Sequence, residues 1–171
     1  MNEADAYGGI MTGGAIQNNT GHRGAAVNIY SDDRDKRAIF TLEDDGLITR
    51  NTGISANGNE AGGAVFVEDN AAFHMIGGTV SANKASKGGG ICIVDSALQR
   101  GTAEYGTEFL MDGGVISGNR AGTGGGIYSF SNGSFLRSGK IINNTATYSG
   151  GGLYSEGKAL MVTALPIYII P

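Results

Sequence analysis

Residues 109–128 read FLMDGGVISGNRAGTGGGIY, and residues 73–92 read FHMIGGTVSANKASKGGGIC. The two stretches match position for position at an offset of 36 residues. Phe109 falls on Phe73, Met111 on Met75, Ile116 on Val80, Asn119 on Asn83 and Ile127 on Ile91. Three more copies surround them. Met11 to Asn19, followed by Gly24 to Val27, matches residues 111–127 at an offset of 100. Ile54 to Asn57, followed by Gly62 to Val65, matches the 73–92 copy at an offset of 26. Ser138 to Ala146, followed by Gly150 to Leu153, is a fifth copy with one residue lost and one gained. Residues 40–51, FTLEDDGLITRN, are a candidate for a further, degenerate turn.

Within each copy the apolar residues alternate. Phe73 and Met75, Phe109 and Met111, Ile91 and Ile93, and Val27 and Ile29 are each two apart. Period two is the signature of strands, and Gly clusters and Asn punctuate them at short intervals. No window sustains an apolar face at helical spacing. A copy of about 26 residues holding several short strands reads as one coil of a solenoid. Equivalent positions then become columns. Ile16, Ile54, Val80, Ile116 and Ile141 are expected to stack inside, as are Val27, Val65, Ile91, Ile127 and Leu153. Asn19, Asn57, Asn83, Asn119 and Asn144 form a third column, whose amides can bond from copy to copy. The fold class is therefore all-β, in about five to six coils. It forms a single domain over 1–171, with a repeat core at 8–155 and an apolar tail or cap at 156–171.

Composition agrees. The chain has 171 residues and 31 Gly, where ordinary usage gives about 12. Collagen is excluded, because Gly does not recur every third residue and there are 2 Pro. A disulfide scaffold is excluded by the single Cys92. Helices are disfavoured, since each interior Gly costs about 1 kcal/mol. Instead the glycines recur at fixed corners, where positive φ and close approach are needed. Gly→Ala at Gly89 or Gly125 is expected to destabilise, and at Gly101 or Gly106 to be tolerated. The net charge of −4, with no basic stripe, argues against nucleic acid. Residues 1–5 show neither the charged nor the apolar region of a signal peptide. The run 159–171 is too short for a transmembrane helix, so no transmembrane segment is expected.

The unit from Ile116 to Ser129 resembles the repeats of bacterial right-handed parallel β-helix proteins, in the style of polymorphic outer-membrane protein repeats. Their G-G-A-I signature stands here as Gly13 to Ile16, and G-G-A-V as Gly62 to Val65. The Phe that precedes x-x-N in those repeats is Ile or Val here. A broader resemblance, to pectin-lyase-like passenger regions of autotransporter adhesins, covers most of residues 8–155. It implies three faces per coil, right-handed winding, and a bacterial secreted or cell-surface setting. It also implies that this chain is a fragment or segment of a longer array. The function expected on this basis is structural and adhesive, with no catalytic residues. Two alternatives are a polysaccharide-acting enzyme fragment and a glycan-binding module. β-Helix lyases hold Ca²⁺ with Asp or Glu beside an Arg or Lys base, and β-helix hydrolases cluster Asp; no matching motif occurs in this chain.

Several residues could still form a site. Extra length falls at one corner in two copies, within Ser31–Arg37 and Ser96–Glu108, which reads as decorated surface or, alternatively, as one recognition edge formed by both loops. Asp69 and Asp95 are 26 apart and should lie on neighbouring coils. They are the only candidate metal ligands, and Ca²⁺ would suit them, although it wants 6–8 oxygens; otherwise no cofactor is expected. Phe66, Tyr128 and Tyr154 would form an outward aromatic row. Such a row either stacks between coils or offers faces to a glycan. Cys92 should point outward, with nothing to activate its thiol. His22 and His74 read as surface residues, and Glu43 to Gly46 as a turn. The partners expected are a host or bacterial surface glycan or protein, and end-to-end or edge self-association.

Overall fold

A computed structural model describes residues 6–33, 36–55, 62–95, 106–131, 133–156, 160–162 and 167–170. Among these residues the chain is all-β, and its strand pairings are parallel throughout. The topology is compatible with a parallel β-helix.

The strands run in a recurring order. The first group is β1 (Ala6–Met11), β2 (Ala15–Gln17), β3 (Thr20–Gly21) and β4 (Val27–Ile29). The same order returns as β5 (Arg37–Leu42), β6 (Leu47–Thr49), β7 (Thr52–Gly53) and β8 (Val65–Glu68). The third group is β9 (Ala71–Met75), β10 (Thr79–Ser81) and β11 (Ile91–Val94), with isolated bridges at Lys84 and Lys87. The next two groups are β12 (Glu108–Ser117), β13 (Arg120–Thr123) and β14 (Ile127–Phe130), then β15 (Gly133–Ile142), β16 (Thr145–Ser149) and β17 (Leu153–Ser155). Two strands follow, β18 (Leu160–Val162) and β19 (Ile167–Ile170). Strands β4, β8, β11, β14 and β17 form one five-stranded sheet. A ten-stranded sheet holds two stacks fused through the long β12 and β15.

Register makes the columns real. Val27, Val65, Ile91, Ile127 and Leu153 stand opposite one another. In the second column the expectation needs correcting at one position. Ile16 pairs with Ile48, Ile48 with Val80, Val80 with Ile116, and Ile116 with Ile141. Ile54 lies outside this column and is 43% exposed. The second copy therefore runs through residues 47–51, within the candidate degenerate turn at 40–51, which is the repeat itself. The Asn ladder shifts with it, to Asn19, Asn51, Asn83, Asn119 and Asn144. Asn57 lies outside the described residues.

A third inward column explains the Phe positions. Phe40, Phe73 and Phe109 stack, with ring centroids 6.2 and 5.7 Å apart. Gly9 takes the equivalent place on β1, and Ser134, not Phe135, takes it on β15. Phe135 falls opposite Leu110 on the other face. Where the ring stack stops, Ser129, Ser131 and Ser134 are all buried and bond to one another, the shortest Oγ–Oγ distance being 2.8 Å. Three hydroxyls thus satisfy each other in a space that elsewhere holds Phe.

Two glycine positions are needed by the geometry. Gly88, Gly124 and Gly150 have φ of 57°, 65° and 65°, and a Cβ on each would strike the carbonyl oxygen three residues on. Gly89 and Gly125 lie so close to the next layer that a Cβ would come within 2.5 Å of backbone oxygens. The two G-G-A signatures occupy different corners. Gly13–Gly14 leads into β2 of the ten-stranded sheet, and Gly62–Gly63 into β8 of the five-stranded one. The 43–46 turn is as expected, with Gly46 N–H donating to Glu43 O at 3.1 Å. Within the apolar tail, β18 and β19 each pair in parallel with β15.

Candidate functional site

Both insertions lie between the five-stranded sheet and the first stack of the ten-stranded sheet, so they share a corner. Residues 34, 35 and 96–105 lie outside the described residues. The ends of both insertions are described, and they meet. Arg37 opens β5, His74 lies in β9 and Glu108 opens β12, on three successive strands. All three alternate with the inward Phe positions, so their side chains leave on the outer face. The Glu108 carboxylate bridges the other two. Arg37 Nη1 donates to its Oε2 at 3.2 Å, and His74 Nε2 lies 3.0 Å from its Oε1. Arg37 Nη2 also donates to the Gly106 carbonyl at 3.3 Å, tying the second insertion to β5.

The electrostatics of the bridge follow from its surroundings. Burial disfavours the Glu108 carboxylate, but the His74 hydrogen bond and the Arg37 charge outweigh it and hold the group below the ordinary carboxylate range. Around it the backbone of the first insertion is pinned. Ser31 Oγ and Asn70 Nδ2 both donate to the carbonyls of Asp33 and Lys36. Arg37 Nε and Asn70 Oδ1 are buried with no protein partner, on residues that flank the Ala38–Ala71 pair. His74 is therefore not a simple surface residue. His22, by contrast, is exposed.

Asp69 and Asp95 follow the Glu68–Val94 pair and so lie just past the ends of neighbouring strands. Asp95 is buried, and its Oδ2 accepts from Thr107 N–H at 3.3 Å, which fixes the end of the second insertion. Asp69 sits at φ 40°, and its carbonyl accepts from Ser31 N–H. Among the described residues, no group of three or more His, Cys, Asp or Glu side chains converges as a metal would require. Gly106 belongs to this corner too. Its φ is 65°, and a Cβ would sit 3.2 Å from Asp95 Oδ2, so the expectation that Gly106→Ala is tolerated does not hold. Gly101 lies outside the described residues.

The aromatic row is real but it is covered. Phe66 and Tyr128 keep 4% and 5% of their surface exposed and form a second cluster with Cys92. Tyr154 stacks on Tyr128, with centroids 5.5 Å apart and planes at 11°. Lys87 Nζ lies 4.9 Å from the Tyr128 ring centre, and Tyr128 Oη donates to Glu156 at 2.8 Å. Phe66 and Tyr128 thus stack between layers with their faces buried, while Tyr154, at the end of the row, is half-buried. Cys92 is on the outer side of its strand, as alternation requires, yet it is fully buried. Burial pushes its thiol up, away from thiolate. Next to this cluster Arg23 bridges Glu68 at 3.1 Å. Burial nonetheless raises Glu68, the Arg23 charge offsetting it only in part.

Alternation of side chains could have placed Arg37, His74 and Glu108 on one outer face, but nothing in the spacing says that they touch. No family model, no curated protein and no solved structure matches this chain. Among the described residues, no helix is long and apolar enough to cross a membrane.

Proposed function

We propose that the chain is a right-handed parallel β-helix of about five to six coils. In this reading it is a non-catalytic structural and adhesive segment of a bacterial secreted or cell-surface protein. The coil reading is supported by a strand order that recurs across five groups, each pairing in parallel with the last. The observation that carries the adhesive role is the corner at Arg37, His74 and Glu108. The described ends of both polar insertions are tied together there, across three successive strands. Rigid scaffolds that present variable loops at one edge suit recognition. Acid–base chemistry needs groups free to reach a substrate. Here Glu108 is committed to Arg37 and His74, and Glu68 to Arg23.

The experiment is binding set against turnover. The purified chain is offered to a glycan array and to immobilised cell-surface protein, and in parallel to pectin-type polysaccharides. Binding that falls at least tenfold when Asp32 and Asp33 are both replaced by Ser, with no sugar release, is the expected result. Release of unsaturated or reducing sugars overturns the non-catalytic reading. Binding that is indifferent to Asp32 and Asp33, and to deletion of residues 97–104, overturns the role given to the corner.

A further inference from the structure

The side of each layer just past the Asn ladder carries charges that the fold does not use. Thr20, Thr52, Lys84, Arg120 and Thr145 stand opposite one another from layer to layer. Lys84 and Arg120 are exposed, and each lies between buried residues, Asn83 and Ala85 or Asn119 and Ala121, so both side chains leave outward. Two cations are thus stacked on adjacent layers, about 4.8 Å apart at the backbone. Like charges placed directly opposite each other repel. Arg23, Arg37 and Arg137 each meet a carboxylate, but among the described residues none lies within ion-pair distance of Lys84 or Arg120.

Beside this pair a bulge presents an aromatic ring. Ala121 pairs with Ala146 and Thr123 with Ser149, so Gly122 alone faces both Thr147 and Tyr148. A bulge of this kind re-aims a side chain. Tyr148 keeps 82% of its surface exposed, and its Cδ2 and Cε2 lie 3.5 Å from where a Gly122 Cβ would stand. That Cβ would project on the same side as Arg120, two residues back and about 6.6 Å along the strand. The ring is therefore held against Gly122, on the face that carries Lys84 and Arg120, with most of its surface in water. It differs in this from Phe66 and Tyr128, whose rings are buried.

One ligand answers both features. The apolar face of a pyranose ring stacks on an exposed aromatic ring, and two adjacent cations call for an anion with several acceptor oxygens. A sulfate ester sets three such oxygens on one sugar ring and is ionised throughout the physiological pH range. A polynucleotide also offers rings and anions, but it brings a charge at every unit to a chain of net charge −4. We propose that this face binds a sulfated sugar chain, with one ring stacked on Tyr148 and its sulfate held between Lys84 and Arg120. The face lies on β13 and β16, away from the strands that carry Arg37, His74 and Glu108, so it stands or falls apart from the role given to that corner.

Retention of the 171-residue chain on immobilised dextran sulfate at low salt, set against immobilised dextran, reads the site. The wild type is expected to bind dextran sulfate and not dextran. Tyr148→Ser and Arg120→Ser should each weaken binding at least about tenfold, as the loss of a central aromatic or Arg contact does. Arg137→Ser removes the same charge from an exposed position on the ten-stranded sheet and should leave binding unchanged. Arg120→Ser should keep or raise the melting temperature, because it relieves the repulsion with Lys84, which separates lost binding from lost fold. Dextran sulfate should raise the melting temperature of the wild type more than that of either variant. Equal retention on dextran, on polygalacturonate or on single-stranded DNA, an equal loss from Arg137→Ser, or binding indifferent to Tyr148 or Arg120 overturns the proposal.

Discussion

Replacing Asn83 with alanine removes four hydrogen bonds at once. Its Oδ1 accepts from Asn51 N–H at 2.9 Å and from Asn51 Nδ2 at 3.1 Å. Its Nδ2 donates to Asn119 Oδ1 and to the Ile48 carbonyl, both at 3.0 Å. All of these groups are buried. Asn51 Nδ2 keeps the carbonyls of Ile16 and Thr49, but the Asn51 N–H is left with nothing. At about 1 kcal/mol for each bond lost, and somewhat more for the orphaned donor, the cost is roughly 4 kcal/mol. For a chain of this size that is a fall of roughly 8–16 °C in melting temperature. Asn83→Asp should do no better, because it sets a carboxylate oxygen against Asn119 Oδ1, where an amide donor stood. Urea unfolding followed by far-ultraviolet circular dichroism measures the loss. Asn57→Ala is the control, since Asn51 already holds that layer's place in the ladder. A loss at Asn83 below about 1 kcal/mol, or an equal loss at Asn57, refutes the ladder as a source of stability.

Glu108→Gln is expected to cost about 1–3 kcal/mol at neutral pH, as hydrogen bonds to a charged group do. The folded carboxyl titrates below its unfolded value, so this contribution is present above the ordinary carboxylate range and fades as pH falls through the lowered one. Wild type and variant should therefore converge in acid; a gap that persists or widens there contradicts the bridge. Gly89→Ala and Gly125→Ala are each expected to cost at least about 2 kcal/mol through overpacking, whereas Gly13→Ala, with nothing within 4 Å of its Cβ, should be neutral by the same unfolding assay. Gly106→Ala should cost about 1–2 kcal/mol from its left-handed backbone alone. Cys92 should resist a thiol reagent in the native protein and react fully once unfolded, and rapid native labelling would contradict its burial.

The columns were legible because apolar period two survives in every copy and Gly triplets in three of them, at 88–90, 124–126 and 150–152. They misled only where two candidates competed. The Ile54 to Asn57 segment has the right residue types, and so does Ile48 to Asn51. The second wins because Leu47 to Thr49 can pair with both β2 and β10, an outcome decided by the length of chain between corners. Phe135 stands one residue past the Phe column on β15, and a shift of one residue turns a side chain to the opposite face of a strand. Ser134 holds the column, and the core tolerates it because Ser129 and Ser131 supply partners. The site was less legible than the fold. Arg37 and Glu108 are 71 residues apart and join only through stacking, and the cover over Phe66, Cys92 and Tyr128 cannot be read from alternation.

Spacing and geometry behave differently along the ladder, and the difference bears on function. Successive Asn residues are separated by 32, 32, 36 and 25 positions, yet every side-chain bond between them is 3.0–3.1 Å. Changes in length are thus absorbed at corners and at bulges in the β12–β15 and β13–β16 pairings, while the Asn column keeps its register. A wall that holds its shape regardless of what is inserted at its corners leaves those insertions free to differ in length and charge. The insertions still need an anchor, or they would add disorder at an entropic cost with no fixed surface in return. Arg37, His74 and Glu108 supply that anchor from three layers at once, with Asn70 and Asp95 fixing the backbone on either side. Loss of the Glu108 carboxylate should therefore release the insertions while the ladder stays intact. The Glu108→Gln variant should be cleaved faster by protease within residues 31–36 and 96–107, and the strand-bearing remainder of the chain should stay resistant.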